Sequence, residues 1–146
     1  MLRTLILMAL CGSLVFAGET KKNVPFKLDQ WVELKSTDGP VTLHRIRIVE
    51  QSGGLTKSKL MRPGNAEHLQ TIQIQIEYSN SASRDWDAHL DIAWVDADGV
   101  VIDGYNDKEN LDSEESYEKV TVTLSTLKYG LKRAKTLKVK ISYEPD

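Results

Sequence analysis

Six oxygen-bearing side chains, Asp96, Asp98, Asp103, Asn106, Asp107 and Asp112, crowd one stretch of the chain. Carboxylates on a loop are the ligands that a hard cation such as calcium takes. The order of these residues fits no calcium loop, because Trp94 stands where the first Asp of an Asp-x-Asp-x-Asp-Gly pattern belongs. Aspartate also closes turns by bonding to its own backbone. Turn formation is therefore the expected role of the cluster, with a weak calcium site as the alternative, and no metal or cofactor is assigned. Glu77, Asp85, Asp87 and Asp91 offer carboxylates for acid and base work on a glycosidic bond, but any acidic β protein carries such pairs. His44, His68 and His89 lack the close spacing of two metal ligands on one element. No serine sits in a Gly-x-Ser-x-Gly turn. The chain is expected not to be an enzyme.

Binding chemistry is better represented. Trp31 and Trp86, with Tyr105 and Tyr117, are flat apolar bodies with a polar edge, suited to stacking on sugar rings when exposed. Trp86 stands in the turn Ser83-Arg84-Asp85-Trp86-Asp87, where covering the end of the fold is its expected role. Charge is unevenly spread. Between Asp85 and Glu118 the only Lys or Arg is Lys108, whereas Lys119, Lys128, Lys132, Arg133, Lys135, Lys138 and Lys140 follow with no acid among them. Two readings compete for this basic stretch. Lysines on the outward face of an edge strand discourage strand-to-strand aggregation; alternatively, Lys132, Arg133, Lys135, Lys138 and Lys140 form a docking surface for an envelope protein or an anionic polymer. The formal charge of -2, or -3 once Arg3 is removed, gives no sign of a nucleic-acid partner.

Strands must position these residues. Apolar and polar side chains alternate with period two through Ile72, Ile74, Ile76 and Tyr78, through Ala88, Leu90, Ile92 and Trp94, through Val120, Val122 and Leu124, and through Leu137, Val139, Ile141 and Tyr143. Weaker strand signals cover Trp31 to Leu34, Val41 to Val49 and Val100 to Ile102. In the second of these the apolar phase shifts between Val41/Leu43 and Ile46/Ile48, which requires a bulge near His44-Arg45 to keep both pairs inward. Turn signals stand at Asp38-Gly39-Pro40, Ser52-Gly53-Gly54, Arg62-Pro63-Gly64-Asn65 and Asp96-Ala97-Asp98-Gly99, the last at hairpin distance between two apolar runs. Leu127, Leu131 and Ala134 recur at helical spacing and predict one or two helical turns within Ser125 to Ala134. About seven short strands separated by regular turns predict an all-β, antiparallel, immunoglobulin-like sandwich with a short helical turn before the last strand.

From Ile72 to Tyr143 the order of features resembles the FxLYD-type group of bacterial extracytoplasmic immunoglobulin-like domains. Tyr78-Ser79-Asn80-Ser81 is similar to that group's Asn followed by a small-residue turn, and Ile92 to Val101 to its apolar strand with an Asp and Gly hairpin. Leu111-Asp112-Ser113-Glu114-Glu115 stands where the group has a Leu, a turn and an acidic residue. Trp94-Val95-Asp96 replaces the aromatic and Tyr-Asp positions of the naming motif. The resemblance implies an envelope module without catalytic residues.

The N-terminal segment supplies an address. Arg3, the apolar run Leu5 to Phe16 and the small-residue pattern Val15-Phe16-Ala17 read as a signal peptide over 1–17. The run is well short of the roughly 20 residues that cross a bilayer, so no stable membrane anchor is expected after cleavage. Cys11 lies inside this segment and is the chain's single cysteine, so the mature protein is expected to hold no thiol or disulfide. Leu10 precedes it where a lipoprotein signal would carry Gly or Ala, and lipid attachment is not expected. No Asn-x-Ser/Thr acceptor is present. The expected organisation is a signal over 1–17, a flexible linker over 18–27 and a β-sandwich over 28–146. The expected function is an exported, periplasmic or secreted, non-catalytic binding or assembly module, with an accessory carbohydrate-binding domain or a weak calcium-binding module as the alternatives.

Overall fold

The computed structural model describes residues 19–51 and 68–146. The signal over 1–17 with Cys11, and the turn signals at Ser52-Gly53-Gly54 and Arg62-Pro63-Gly64-Asn65, lie outside the described residues. The described elements are β1 (Glu19–Pro25), β2 (Val32–Asp38), β3 (Val41–Glu50), β4 (Leu69–Asn80), β5 (Trp86–Val95), β6 (Val101–Leu111), β7 (Glu115–Leu127), α1 (Lys128–Arg133) and β8 (Thr136–Pro145). They form two antiparallel sheets, ordered β1-β8-β5-β6 and β2-β3-β4-β7.

The chain crosses from β4 to β5, turns back as β6, crosses to β7 beside β4 and returns as β8 beside β5, the Greek-key crossing of immunoglobulin-like sandwiches. The central strands bury alternate residues, so Ile72, Ile74, Ile76 and Tyr78 of one sheet face Ala88, Leu90, Ile92, Trp94, Leu137, Val139 and Ile141 of the other. Val120, Val122 and Leu124 pack on the same core but stay half-buried, because β7 is an edge strand. The helical turn falls before the last strand as expected, though Ser125 to Leu127 remain strand because they pair with Leu69 to Thr71. Gly130 of α1 packs so close to Ile102 that a Cβ there would come within 2.5 Å of it.

Three expectations need correction. The stretch read as a flexible linker over 18–27 holds β1, paired with β8 from Glu19↔Ser142 to Pro25↔Thr136, so the sandwich begins by Glu19. Its side chains are mostly polar because it is an edge strand, and that hid the alternation. The acidic run after the hairpin is no loop: β6 continues to Leu111, paired with β5. Finally, β8 lies between β1 and β5 rather than at an edge, so Lys138 and Lys140 guard no edge.

The second sheet carries a transverse row of bulges. Between Leu43 and Arg45, β3 advances two residues while β4 advances one, which inserts His44. Opposite it, β2 takes three steps from Glu33 to Ser36, with Lys35 at φ 49. On the far side, β7 takes three steps between Glu115 and Glu118 against two on β4, with Tyr117 at φ 53. The phase shift read at His44-Arg45 is thus observed, and Val41, Leu43, Ile46 and Ile48 are all buried.

Trp94 is 0% exposed and lies 6.1 Å from Phe26 between ring centroids, and its indole N–H has no partner among the described residues. Trp94→Ala should lower stability by about 3 to 5 kcal/mol, read as a loss of folded signal in circular dichroism. Trp94→Phe keeps a ring and removes the unpartnered donor, so it should melt closer to the wild type. Near-normal melting of the alanine variant would contradict the inward phase.

Candidate functional site

The bulge row gathers unlike side chains on the outer face of β2-β3-β4-β7. Each inserted residue bends its strand and re-aims a side chain. The His44 ring stacks on Tyr117 at 4.3 Å and 14°. Between them on β4, the Ser79 hydroxyl is bonded to His44 Nε2 at 2.8 Å and accepts the Tyr117 N–H at 3.0 Å. One serine thus ties β3, β4 and β7 together at the two bulges. Positive φ at non-glycine residues such as Lys35 and Tyr117 is strained backbone, which clusters at functional sites.

Beyond His44 on β3, Arg45 and Arg47 point outward together. Arg45 donates Nε and Nη2 to the two carboxylate oxygens of Glu77, both at 3.1 Å, and Arg47 donates the same pair of atoms to Gln75 Oε1. Gln75 in turn donates to Gln73. These bonds use one edge of each guanidinium and leave each Nη1 outside them. Both guanidiniums lie against Trp31, at 4.3 and 4.4 Å from its ring, with Lys119 at 6.0 Å. An indole attracts cations to its face by about 0.5 to 2 kcal/mol each, which holds two like charges side by side. A shallow groove of about 630 Å³, lined by Lys35, His44, Arg45, Glu77 and Tyr117 among others, runs along this face. Such a surface can grip a ligand with planar rings and negative charge.

Of the aromatic residues singled out from sequence, Trp31 and Tyr117 both lie on this face, one against Arg45 and Arg47 and the other against His44. Trp86 packs against the core, with its ring 3.8 Å from where a Cβ on Gly39 would stand, and so covers the end of the sandwich. Tyr105 donates its hydroxyl to Glu109 at 2.5 Å; burial first and that carboxylate second push its pKa up. Arg45, Arg47, Gln75 and Ser79 were not picked out from sequence. The phase shift at His44-Arg45 was the signal for the two arginines, since inward Ile46 and Ile48 leave residues 45 and 47 outward.

The five basic residues stand in different local settings. Lys138 and Lys140 stand exposed on the outer face of the first sheet, but Lys140 pairs across from Lys21 on one side and Asp91 on the other. A groove there mixes Glu19, His89, Asp91 and Lys140. Lys135 precedes β8 and donates its backbone N–H to Val95. Lys132 lines a cavity of about 160 Å³ with Leu28 and Leu131, and Arg133 is bound to Asp96 at 2.8 Å.

Four of the five aspartates of this stretch, Asp96, Asp103, Asp107 and Asp112, accept local hydrogen bonds. Asp96 accepts the N–H groups of Asp98 and Val100, Asp103 accepts the Thr126 hydroxyl at 2.6 Å, and Asp112 accepts Asn110 Nδ2. Asn106 is bonded to His89. Among the described residues no three His, Cys, Asp or Glu side chains are placed to share a metal ion. The carboxylates considered for acid and base work are separated. Glu77 faces out of the second sheet toward Arg45, and Asp91 faces out of the first. Asp87 pairs with Lys108. Asp85 is held below its ordinary pKa chiefly by the Ser113 N–H. A comparison with protein-family models and with curated proteins gave no match.

The Asp96 carboxyl lies below its ordinary value of 3.8, chiefly through the Val100 N–H, with the Asp98 N–H and Arg133 adding to it and burial opposing. A depressed carboxyl stabilises the fold above the unfolded value and loses that contribution as pH falls through the folded one. Asp96→Ala should therefore lower the melting temperature at pH 7. The deficit should narrow as pH drops through about 3.8 and below, where wild-type Asp96 gains a proton. A deficit constant across that range would contradict this role.

Proposed function

We propose that the protein is an exported, non-catalytic binding module of a bacterial envelope, and that it holds an anionic polymer on the outer face of β2-β3-β4-β7. The observation that carries this reading is the pair of guanidiniums lying within 4.4 Å of the Trp31 ring beside the His44–Tyr117 stack. Among the groups named on that face, Lys35, Arg45, Arg47 and Lys119 outnumber Glu33 and Glu77. Cation and ring together suit an acidic sugar chain, whose rings stack while its carboxylates meet Nη1 atoms. The signal-like segment over 1–17 supports export, and the resemblance to FxLYD-type domains supports an envelope role. No helix of the described residues is long and apolar enough to cross a membrane.

A second reading, an accessory domain for neutral carbohydrate, is favoured by Trp31 and Tyr117 alone. Calorimetric titration with a uronic-acid oligomer and a neutral oligomer of equal length separates the two. The anionic chain should bind more tightly, and Arg47→Gln and Trp31→Ala should each weaken it about tenfold, or about 1.4 kcal/mol. Binding should fade as salt rises and the screening length falls from about 10 Å at 0.1 M to about 3 Å at 1 M. Equal affinity for the neutral chain would favour the second reading. Unchanged binding in both variants would remove this face as the site.

A further inference from the structure

Four strands form the edges of the two sheets, and three are protected against pairing with another chain. β1 carries Glu19, Lys21 and Lys22 and ends in Pro25. β2 carries Glu33, Lys35 and Asp38 and is bulged. β6 runs through Asp103, Asp107, Lys108 and Glu109. β7 is different: after Lys119 it continues Val120-Thr121-Val122-Thr123-Leu124-Ser125-Thr126-Leu127 with no charge, proline or glycine. Charges, bulges and prolines are how natural proteins blunt an edge, and an unguarded β-branched run of this length offers its backbone to another strand.

We infer that β7 pairs antiparallel with β7 of a second copy, about a twofold axis passing through Val122 and perpendicular to the sheet. Three observations select that occupant and register. Val122 would face itself, and Val120 would face Leu124, so the half-buried apolar residues of the edge would cover one another. Tyr117 and Leu127, 65% and 54% exposed, would come opposite each other. The acidic start of the strand, Glu115 and Glu118, would meet the basic end, Lys128, of the other copy. A twofold, self-complementary interface is the commonest form of homodimer. The two second sheets would become one continuous sheet with both outer faces on the same side. Adjacent strands are spaced about 4.8 Å, so the two β3 strands would lie about 24 Å apart. Bivalent capture of a polymer across that span rests on the function proposed above; the dimer does not.

The test is sedimentation of the full chain across a concentration series without ligand, so that failure of the dimer and failure of ligand binding are read separately. The wild type should shift from monomer to dimer. T121K/T123K, at exposed positions that face each other across the axis, should raise the dissociation constant at least tenfold while keeping the wild-type circular dichroism. D107K adds the same charge on edge strand β6 and should dimerise normally. As a second measurement, V122C in a Cys11→Ser background should be joined by a short bismaleimide, whereas N106C on β6 should not. A wild type that stays monomeric throughout overturns the inference, as does a T121K/T123K variant that dimerises unchanged or a V122C chain that fails to cross-link.

Discussion

The second sheet buries an apolar face along its whole length only because β3 bulges at His44. Side chains alternate with period two, so a one-residue slip sends every following side chain to the opposite face. Were β3 paired residue for residue with no bulge, Val41 and Leu43 could face the core or Ile46 and Ile48 could, but not both pairs, because two residues separate Leu43 from Ile46. With it, all four are 2% exposed or less. The neighbours absorb the same step, β2 at Lys35 and β7 at Tyr117, through left-handed backbone at non-glycine residues. Such conformations are unfavourable by about 1 to 3 kcal/mol each, and at Tyr117 the hydrogen bond from its N–H to the Ser79 hydroxyl, itself bonded to His44, offsets part of that.

The device that completes the core also composes the outer face. His44 is expelled from the ladder and stacks on Tyr117; Arg45 and Arg47 follow it outward and settle on Trp31. The inner side of β2 is closed differently. There Ser36 bonds the Tyr143 hydroxyl at 2.5 Å and Thr20 at 2.7 Å, linking β1, β2 and β8, and burial pushes the Tyr143 pKa up to about 12. Those hydroxyls face into the sandwich and serve the fold. The bulged face presents its polar groups to solvent, and their arrangement around one indole has no evident packing role.

Much of the sandwich was legible in the sequence, because buried strands alternate strictly. Ile72 to Tyr78, Ala88 to Trp94 and Leu137 to Tyr143 lie in the strands expected of them, and the phase shift in β3 marked its bulge. Edge strands escaped because one polar face and frayed burial erase the period: β1 read as a linker, and the acidic half of β6 as a loop. The lysines of β8 misled for a related reason. Charge on an outward face is common to edge and central strands, and only pairing tells them apart. Trp31 was visible as an aromatic, but its contact with Arg45 and Arg47 depends on how β2 is registered against β3. The bulges at Lys35 and Tyr117 were not legible, since no phase break in an apolar pattern announces them.

The most direct test of the organising role of the bulge row is deletion of His44, compared with His44→Ala by thermal melting. The alanine variant keeps the inserted backbone and loses only the stack and the bond to Ser79, so it should fold and melt within a few degrees of the wild type. The deletion leaves Val41-Thr42-Leu43-Arg45-Ile46-Arg47-Ile48, which alternates strictly, so both apolar pairs stay inward without a bulge and melting should stay cooperative. Deletion of Arg47 instead sets Ile46 next to Ile48, forces one of them outward and should abolish cooperative melting. Loss of cooperative melting in the His44 deletion, or its retention near the wild-type temperature in the Arg47 deletion, would contradict the account.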